Sequence, residues 1–470
     1  MEVQEEHKMK YKQRLLDPEV FRAYDIRGIV GIQLDTDAYY SIGKAISCQL
    51  QNLNRTSVLL ARDGRITSED FSQALAQGLI DSGITVIDLG AVTTPMLYYA
   101  THITSVDSGL MVTGSHNPAN YNGIKMVLAG STLGHQEIQE LYQLVIDQKC
   151  LIGSGEHLFL DIFAQYSKRI ALDINIHRPL KVVVDAGNGI AGPFVPVVLR
   201  ALGCEVIELY CEVDGNFPNH HPDPSTESNL FDLKAAVARH QADLGLAFDG
   251  DADRLGVITD QGENLCPDRL MMYYAPDVLK RYPGAKIVYD VKCSRHLADV
   301  ILQAGGQPHM CPTGHSIVKS RMKQEDSPLA GEMSGHVFFK DRWYGFDDAL
   351  YSACRLLEQL SFSNSSISQQ FSTIPNSINT QELKIPVADS EKFSLMQRFA
   401  ESASFDDAIW VTIDGVRIEF ADGWGLLRAS NTTPCLVARF EADNHQSLAR
   451  IQKLFKDQLH AVESQLKLPF

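Results

Sequence analysis

Three stretches of this chain share one order of elements: a strand of branched residues, a helix, a glycine stop and a second strand. SVLLARDGR (57–65) opens the first, which runs through a helical segment to Gly83 and then TVIDLG. KVVVDAGNG (181–189) opens the second, whose helix ends in VVLRALG at Gly203 before EVIELY. KIVYDVKCS (286–294) opens the third, with VILQAGG near Gly305 and a weaker strand, QPHMCP. Runs of Val, Ile and Leu bounded by turn residues suit buried parallel strands. A glycine just past the last helical turn suits a left-handed cap. The spacing predicts βαβ units in three similar mixed α/β domains.

The last hundred residues follow another pattern. SFSNSSIS (361–368) reads as a linker or exposed loop. WVTIDGVRIEF carries an Asp-Gly turn inside alternating residues, a hairpin signal. GWGLLRAS, LVARFEA and the amphipathic SLARIQKLFKDQLHAVESQL complete a mostly antiparallel α+β domain. A chain of 470 residues is too long for one core, so three or four domains are expected.

The formal net charge of −16 excludes the basic footprint of a nucleic-acid binder. No apolar run approaches the ~20 residues of a membrane span, and MEVQEEHKMKYKQRLL at the N-terminus lacks the apolar stretch of a secretory signal. The nine cysteines form no CxxC pair, which points to reduced thiols in a cytoplasmic protein.

Four polar loops carry candidate chemistry. In TGSHNP (113–118), Ser115 follows the apolar run SGLMV, His116 adjoins it, and Lys125 comes after in NGIKMV. A serine hydroxyl needs a base or a phosphoryl donor to act as a nucleophile. In FDGDADR (248–254), Asp249, Asp251 and Asp253 alternate, and in an extended segment this puts three carboxylates on one side. Hard divalent cations take such oxygen ligands. A calcium EF-hand loop would need Gly where Arg254 stands, and the flanks LGLAF and LGVIT read as strands rather than helices. A solvated acidic turn is the plainer alternative.

Mg²⁺ often completes its shell with phosphate oxygens, and basic residues able to hold phosphate are present. RAYDIRG supplies Arg22 and Arg27 with Tyr24 between, Arg254 adjoins the acidic triplet, and RASNTTP (428–434) offers Arg428, Ser430, Asn431 and Thr432. Such local cations must override the repulsion of a −16 protein for any anionic ligand. In GEMSGHVFF (331–339), glycines bracket a loop exposing Glu332, Ser334 and His336, suited to sugar hydroxyls.

TGSHNP, DGDADR, GEMSGH and RASNT in this order resemble the α-D-phosphohexomutase family, over nearly the whole chain from FRAYDIRG (21–28) to the terminal helix. GEMSGHVFF with RWYGFDDA, GNFPNHHPDP (215–224) and PTGH (312–315) are most similar to its bacterial phosphomannomutase/phosphoglucomutase branch. The resemblance implies four domains around a central active-site cleft, near 1–160, 161–263, 264–375 and 376–470, each giving one loop: phosphoserine, metal, sugar and phosphate. It departs at Ala252, where Gly is common, and at Thr433, where many relatives carry Glu.

What the resemblance implies is a reversible C1–C6 phosphate transfer on a mannose or glucose phosphate, through phosphorylated Ser115 and a bisphosphorylated sugar. Mg²⁺ would bind Asp249, Asp251, Asp253 and an oxygen of phosphorylated Ser115, with a sugar 1,6-bisphosphate as activator. The substrate phosphate would sit at Arg428, Ser430, Asn431 and Thr432, with Tyr24, Arg254, Lys292, Glu332, Ser334 and His336 as further contacts. Lys125, His116 and His315, with Arg27 close by, are the acid and base candidates, their roles unassigned. His220 and His221 resemble interdomain or structural positions. The expected partner is a hexose phosphate, with no nucleic acid or membrane, and the expected state is a monomer or weak dimer. Phosphoglucosamine mutase is the alternative within the fold, although Met333 stands where those relatives usually show Gln. A metal-dependent sugar phosphatase and a non-catalytic sugar-phosphate binder are the alternatives outside it.

Overall fold

All three glycine stops adopt the left-handed backbone that the repeat reading requires, with φ of +86° at Gly83, +91° at Gly203 and +80° at Gly305. Each ends a helix (Ser68–Ile80, Val195–Ala201, Arg295–Gln303) and turns the chain into a strand parallel to the one before that helix. The parallel pairs are Ser57–Arg62 with Thr85–Ala91, Lys181–Asp185 with Glu205–Leu209, and Lys286–Asp290 with Gln307–Cys311. A side chain on these glycines would meet the Cβ penalty of the left-handed region. The computed structural model describes residues 11–148, 152–430 and 433–470.

Contacts gather the chain into two units, Met1–Leu265 with Ser334–Gln369, and Cys266–Met333 with Gln370–Phe470. The first unit contains a seven-stranded mixed sheet, in the order Ile26–Ile29, Tyr121–Leu128, Gly109–Val112, Ser57–Arg62, Thr85–Ala91, His157–Phe159, with Ser131–Thr132 paired to Tyr121–Leu128. Gly109–Val112 is buried throughout, and antiparallel Tyr121–Leu128 beside it is nearly so. The loop joining these two strands therefore starts and ends in the core. A second sheet runs Asn264–Leu265, Leu255–Thr259, Leu244–Phe248, Lys181–Asp185, Glu205–Leu209. LGLAF and LGVIT are its fully buried antiparallel strands, as their apolar runs predict.

SFSNSSIS (361–368), read as a linker or exposed loop, has irregular backbone at 362–366 with Phe362 and Asn364 exposed, and helix at its two ends. Ser361 ends the helix Ala349–Ser361, and Ile367 begins a short one. Ser361 Oγ accepts from the His177 amide at 2.9 Å, the Ser363 carbonyl accepts from Arg178 Nε at 2.8 Å, and the Ser368 amide donates to Asp260 at 3.0 Å. These bonds reach residues more than a hundred positions away, so nothing in the local composition announces them.

At the start of Ala349–Ser361, buried Asp348 accepts from the Tyr351 amide (2.9 Å), Tyr166 Oη (2.8 Å) and Trp343 Nε1 (3.1 Å). Burial pushes its pKa up to about 7 against these bonds. The unfolded carboxyl titrates near 4, so the folded state holds a proton that the unfolded chain releases. The resulting stability is full below about pH 4 and is lost as pH rises through about 7. Relative to Asp348→Asn, the wild-type Tm should fall across that window; a difference that does not change with pH contradicts this assignment.

The second unit holds Gln307–Cys311, Lys286–Asp290 and Leu329–Gly331 as parallel neighbours. Its other sheet is antiparallel: Ile378–Asn379, Cys435–Ala442, Gly423–Ala429, Val416–Phe420, Ile409–Val411, with Leu383–Pro386 also paired to Cys435–Ala442. The Asp-Gly hairpin forms as read, and Gly415 has φ +75°. The helix His445–Val462 covers this sheet, with Phe455 edge-on to Phe440 at 5.4 Å.

Two buried arginines join the unit's sheets. Arg417 Nη1 donates to the carbonyls of Val291 (2.6 Å) and Cys293 (2.7 Å), Arg439 donates to that of Lys292, and Arg417 lies 3.9 Å from the Trp424 ring centroid. This holds the segment bearing Lys292. Among the described residues no helix is long and apolar enough to cross a membrane, and eight cysteines are free.

Candidate active site

Ser115 sits in the loop between Gly109–Val112 and Tyr121–Leu128, only 2% exposed, with φ +48°. Left-handed backbone is uncommon for a non-glycine residue and must be held by its surroundings. Ser115 Oγ donates to Asp249 Oδ2 at 3.1 Å and lies 3.2 Å from His116 Nδ1. Gly250 packs on this loop so closely that a Cβ there would come within 2.4 Å of the Ser115 carbonyl.

The aspartate triplet reaches its geometry differently from the extended segment expected. It occupies the tight turn between Leu244–Phe248 and Leu255–Thr259, and Ala252 takes φ +64°. That conformation gives a physical reason for glycine to be favoured at this position. Asp249 Oδ1 accepts the amides of Asp253 (3.0 Å) and Arg254 (3.1 Å), folding the turn around its own carboxylate. All three aspartates are fully buried, and ligand oxygens from each lie within 4.8 Å of one another.

Lys125 Nζ donates to Asp251 Oδ2 at 2.6 Å and also to Asp253 Oδ2. Thr94, which begins the helix Thr94–Ile103, donates from Oγ1 to Asp251 Oδ2 at 2.5 Å and from its amide to the Asp251 carbonyl at 3.0 Å. Burial would discharge Lys125, but Asp251 and Asp253 hold its pKa well above the usual range. Burial, then Asp253 and Asp251, push Asp249 well up. Asp253 goes the other way, because Lys125 and then His336 overcome its burial.

The donor set fits a hard divalent cation. Three buried carboxylates converge, and Asp251 Oδ1 is buried with no hydrogen-bond partner among the described residues. Magnesium and calcium are bound by such oxygens, and Mg²⁺ typically keeps open positions for phosphate or water.

Arg27 Nη2 donates to Asp25 at 2.6 Å and Nη1 to Asn117 Oδ1, in the serine loop, at 3.0 Å. Burial, then Arg254, Arg27 and Lys125, hold the His116 pKa well below 6.5, so its ring is neutral at neutral pH and can accept a proton. His336 Nε2 lies 3.2 Å from Asp253 Oδ1 and 3.4 Å from Arg254 Nε, with Nδ1 2.9 Å from Ser334 Oγ. The structure thus places His336 and Ser334 beside the aspartate turn. Tyr24 belongs to this unit and is half-buried.

Sequence reasoning missed Thr94 and Asp347. Buried Asp347 groups with His336 and Asp253; the paired aspartates of GFDDA ahead of a helix were its only signal. His221, read as an interdomain or structural position, contacts the His116 carbonyl through Nε2 and so supports the serine loop.

The second unit assembles the remaining candidates. Lys292 Nζ donates to Glu382 at 2.6 Å. The Lys292 charge, with help from Arg428, draws Glu382 down to about 2 against its burial. Arg428 Nε donates to Asp414 at 2.9 Å, and Asp414 also accepts the Thr313 amide at 3.0 Å. Glu332 Oε1 accepts the Gly314 amide at 2.7 Å, next to buried His315 at the start of His315–Gln324. Ser430 Oγ lies 2.7 Å from Thr433 Oγ1. Asn431 and Thr432 lie outside the described residues. Glu382 and Asp414 have no sequence signal: each becomes relevant only through a lysine or arginine brought beside it by folding.

A buried serine lies against one of three converging carboxylates, with a lysine between the other two; such a set is suited to metal-assisted phosphoryl transfer. Comparison with known proteins agrees. Family models described as "Phosphoglucomutase/phosphomannomutase, alpha/beta/alpha domain" I, II and III match residues 18–149, 159–262 and 266–377, and the C-terminal domain model matches 382–458. A phosphomannomutase/phosphoglucomutase of Pseudomonas putida is 51% identical over 455 residues, covering 97% of this chain and 98% of that one. A phosphoglucomutase of Neisseria gonorrhoeae is 50% identical over 442 residues, covering 93% and 96%. The crystal structure of a family protein from Burkholderia thailandensis superposes with a TM-score of 0.93 at 48% identity, covering 97% and 100%. The chain belongs to the phosphoglucomutase/phosphomannomutase family. It is therefore an enzyme, an isomerase that moves a phosphoryl group within a hexose phosphate.

Proposed function

We propose that this enzyme interconverts the 1- and 6-phosphates of mannose and glucose through a phosphoryl group carried on Ser115. The contact of Ser115 Oγ with Asp249, at 3.1 Å, carries the reading, because it puts the nucleophile against the carboxylate cluster. Similar relatives bear the dual name, the name phosphoglucomutase or the name phosphomannomutase, which favours a site that reads neither epimer at C2 exclusively.

The free hydroxyl of a hexose monophosphate attacks the phosphorus on Ser115. A new sugar O–P bond forms as the Oγ–P bond breaks, and the attacking hydroxyl loses its proton. That leaves a sugar 1,6-bisphosphate and an unmodified serine. The sugar turns end for end, its other phosphoryl returns to Ser115, and the isomer departs; added 1,6-bisphosphate would keep the serine charged. Mg²⁺ held by Asp249, Asp251 and Asp253, with the phosphoserine, would supply charge neutralisation of the transferring group. Arg27 and Arg254 add positive charge near His116. Neutral His116, 3.2 Å from Ser115 Oγ, is placed to take or return a proton, with Lys125 and His315 as other candidates.

Arg428, Ser430, Asn431 and Thr432 are the proposed phosphate subsite, with Tyr24, Arg254, Lys292, Glu332, Ser334 and His336 as further substrate contacts. Four domains near 1–160, 161–263, 264–375 and 376–470 are the matching organisation. The free and mostly buried thiols fit a reducing, cytoplasmic compartment. A monomer or weak dimer completes the reading.

Turnover on the 1-phosphates of mannose, glucose and glucosamine, with Mg²⁺ and a trace of glucose 1,6-bisphosphate, tests it. Comparable conversion of the first two to 6-phosphates is expected. Preference for glucosamine 1-phosphate, or release of free phosphate alone, overturns it.

A further inference from the structure

One side chain holds four backbone carbonyls at the serine loop. Arg65, 4% exposed, donates from Nη2 to the carbonyls of Ser115 (2.8 Å) and Asn117 (2.6 Å), and from Nη1 to those of Pro118 (2.7 Å) and Tyr121 (3.0 Å). Asp63, 1% exposed, takes the donors at the start of the same loop: Thr113 Oγ1 at 2.7 Å and the Gly114 amide at 3.3 Å. Thr113 Oγ1 in turn accepts the Ser115 amide at 2.8 Å. Asp63 and Arg65 pair at 3.2 Å, and the Phe217 ring lies 5.1 Å from the guanidinium carbon. Gly114 lies against that guanidinium so tightly that a Cβ would come within 2.5 Å of its carbon.

A planar group with five donors can satisfy four converging carbonyls; an ammonium cannot reproduce that fork. The carbonyls it holds run from Ser115, whose φ is +48°, to Tyr121, while Asp63 takes the donors just before it. Without the fork, the loop loses four of the hydrogen bonds that hold Ser115 in its left-handed backbone, and Oγ would shift from its place against Asp249.

We propose that Arg65, backed by Asp63, is a positioning residue for phosphoryl transfer: it fixes Ser115 Oγ at the reacting position by gripping the loop's carbonyls. It touches neither substrate nor phosphoryl group and acts through Ser115, so the proposal rests on the phosphoserine reading above. A displacement of about 1 Å at a reacting atom can cost ~10²-fold in rate.

The test compares wild type with Arg65→Lys, Arg65→Ala, Gly114→Ala and the double variant Arg65→Ala/Gly114→Ala, with kcat expressed per folded molecule. Arg65→Lys and Gly114→Ala should each lower kcat about 10²-fold and change KM for the hexose phosphate by no more than about twofold, since the second unit is untouched. The double variant should be no slower than Arg65→Ala alone, because the methyl then fills space the guanidinium has left. Methylguanidinium should restore part of the Arg65→Ala rate with saturation. If folded Arg65→Lys and Gly114→Ala both keep wild-type kcat, the clamp only stabilises the fold and the proposal is overturned. If wild type itself carries no phosphoryl group on Ser115 and does not interconvert the sugars, the mutase reading has failed instead.

Discussion

Ser115→Ala is expected to lower turnover by ~10⁴-fold or more while leaving hexose-phosphate binding within a few-fold of wild type. The estimate follows from what the side chain does: without Oγ no phosphoryl-enzyme exists, and what survives is positioning and charge, the residue left when other serine nucleophiles are deleted. The fold should tolerate the change, since Oγ makes two contacts, to Asp249 and His116, and the loop is held through its backbone. Intact mass should show a phosphoryl increment on part of the wild-type protein and none on the variant. Steady-state turnover with binding measured by calorimetry separates the outcomes. Undiminished turnover would remove Ser115 from the reaction altogether.

Lys125→Met is expected to produce the largest loss of stability of any change at the site. Nζ bridges Asp251 and Asp253, and all three groups are buried. Removing one partner of a buried ion pair leaves charge uncompensated, at a cost of ~3–5 kcal/mol. Here the deficit concerns two carboxylates, with Asp249 adding to the repulsion. A cation that binds only the folded state recovers stability as its concentration passes its Kd, about 2.7 kcal/mol at a hundredfold excess. The variant's Tm should therefore fall well below wild type in chelator and climb more steeply than wild type when Mg²⁺ is added. Turnover should fall as well. Equal Tm values in chelator would mean that the aspartates are neutralised by protonation rather than by Lys125.

Much of this was legible in the chain because it depends on neighbours in sequence. The Gly83, Gly203 and Gly305 stops, the two strands around Asp249–Asp253 and the Asp-Gly hairpin each follow from local periodicity and turn chemistry. The four loops in order carry the family by themselves. What stayed hidden was made by folding. ARDGR reads as a strand running into a polar turn, and nothing in it says that Arg65 holds carbonyls about fifty residues downstream. Thr94 looks like an ordinary helix start until Asp251 is placed against it. The aspartates converge through a turn that includes a left-handed Ala252, whereas alternation alone suggested an extended strand. The serine-rich segment hid its attachments because the partners, His177, Arg178 and Asp260, are brought to it only by folding.

The most direct measurement is a single turnover. Enzyme stripped of phosphate is mixed with Mg²⁺ and one equivalent of glucose 1,6-bisphosphate, then quenched and mapped by mass spectrometry. The account predicts one phosphoryl group on Ser115 and a matching amount of glucose monophosphate, with no inorganic phosphate. Phosphate released to water with Ser115 unmodified, or a phosphoryl group on any other residue, would contradict it.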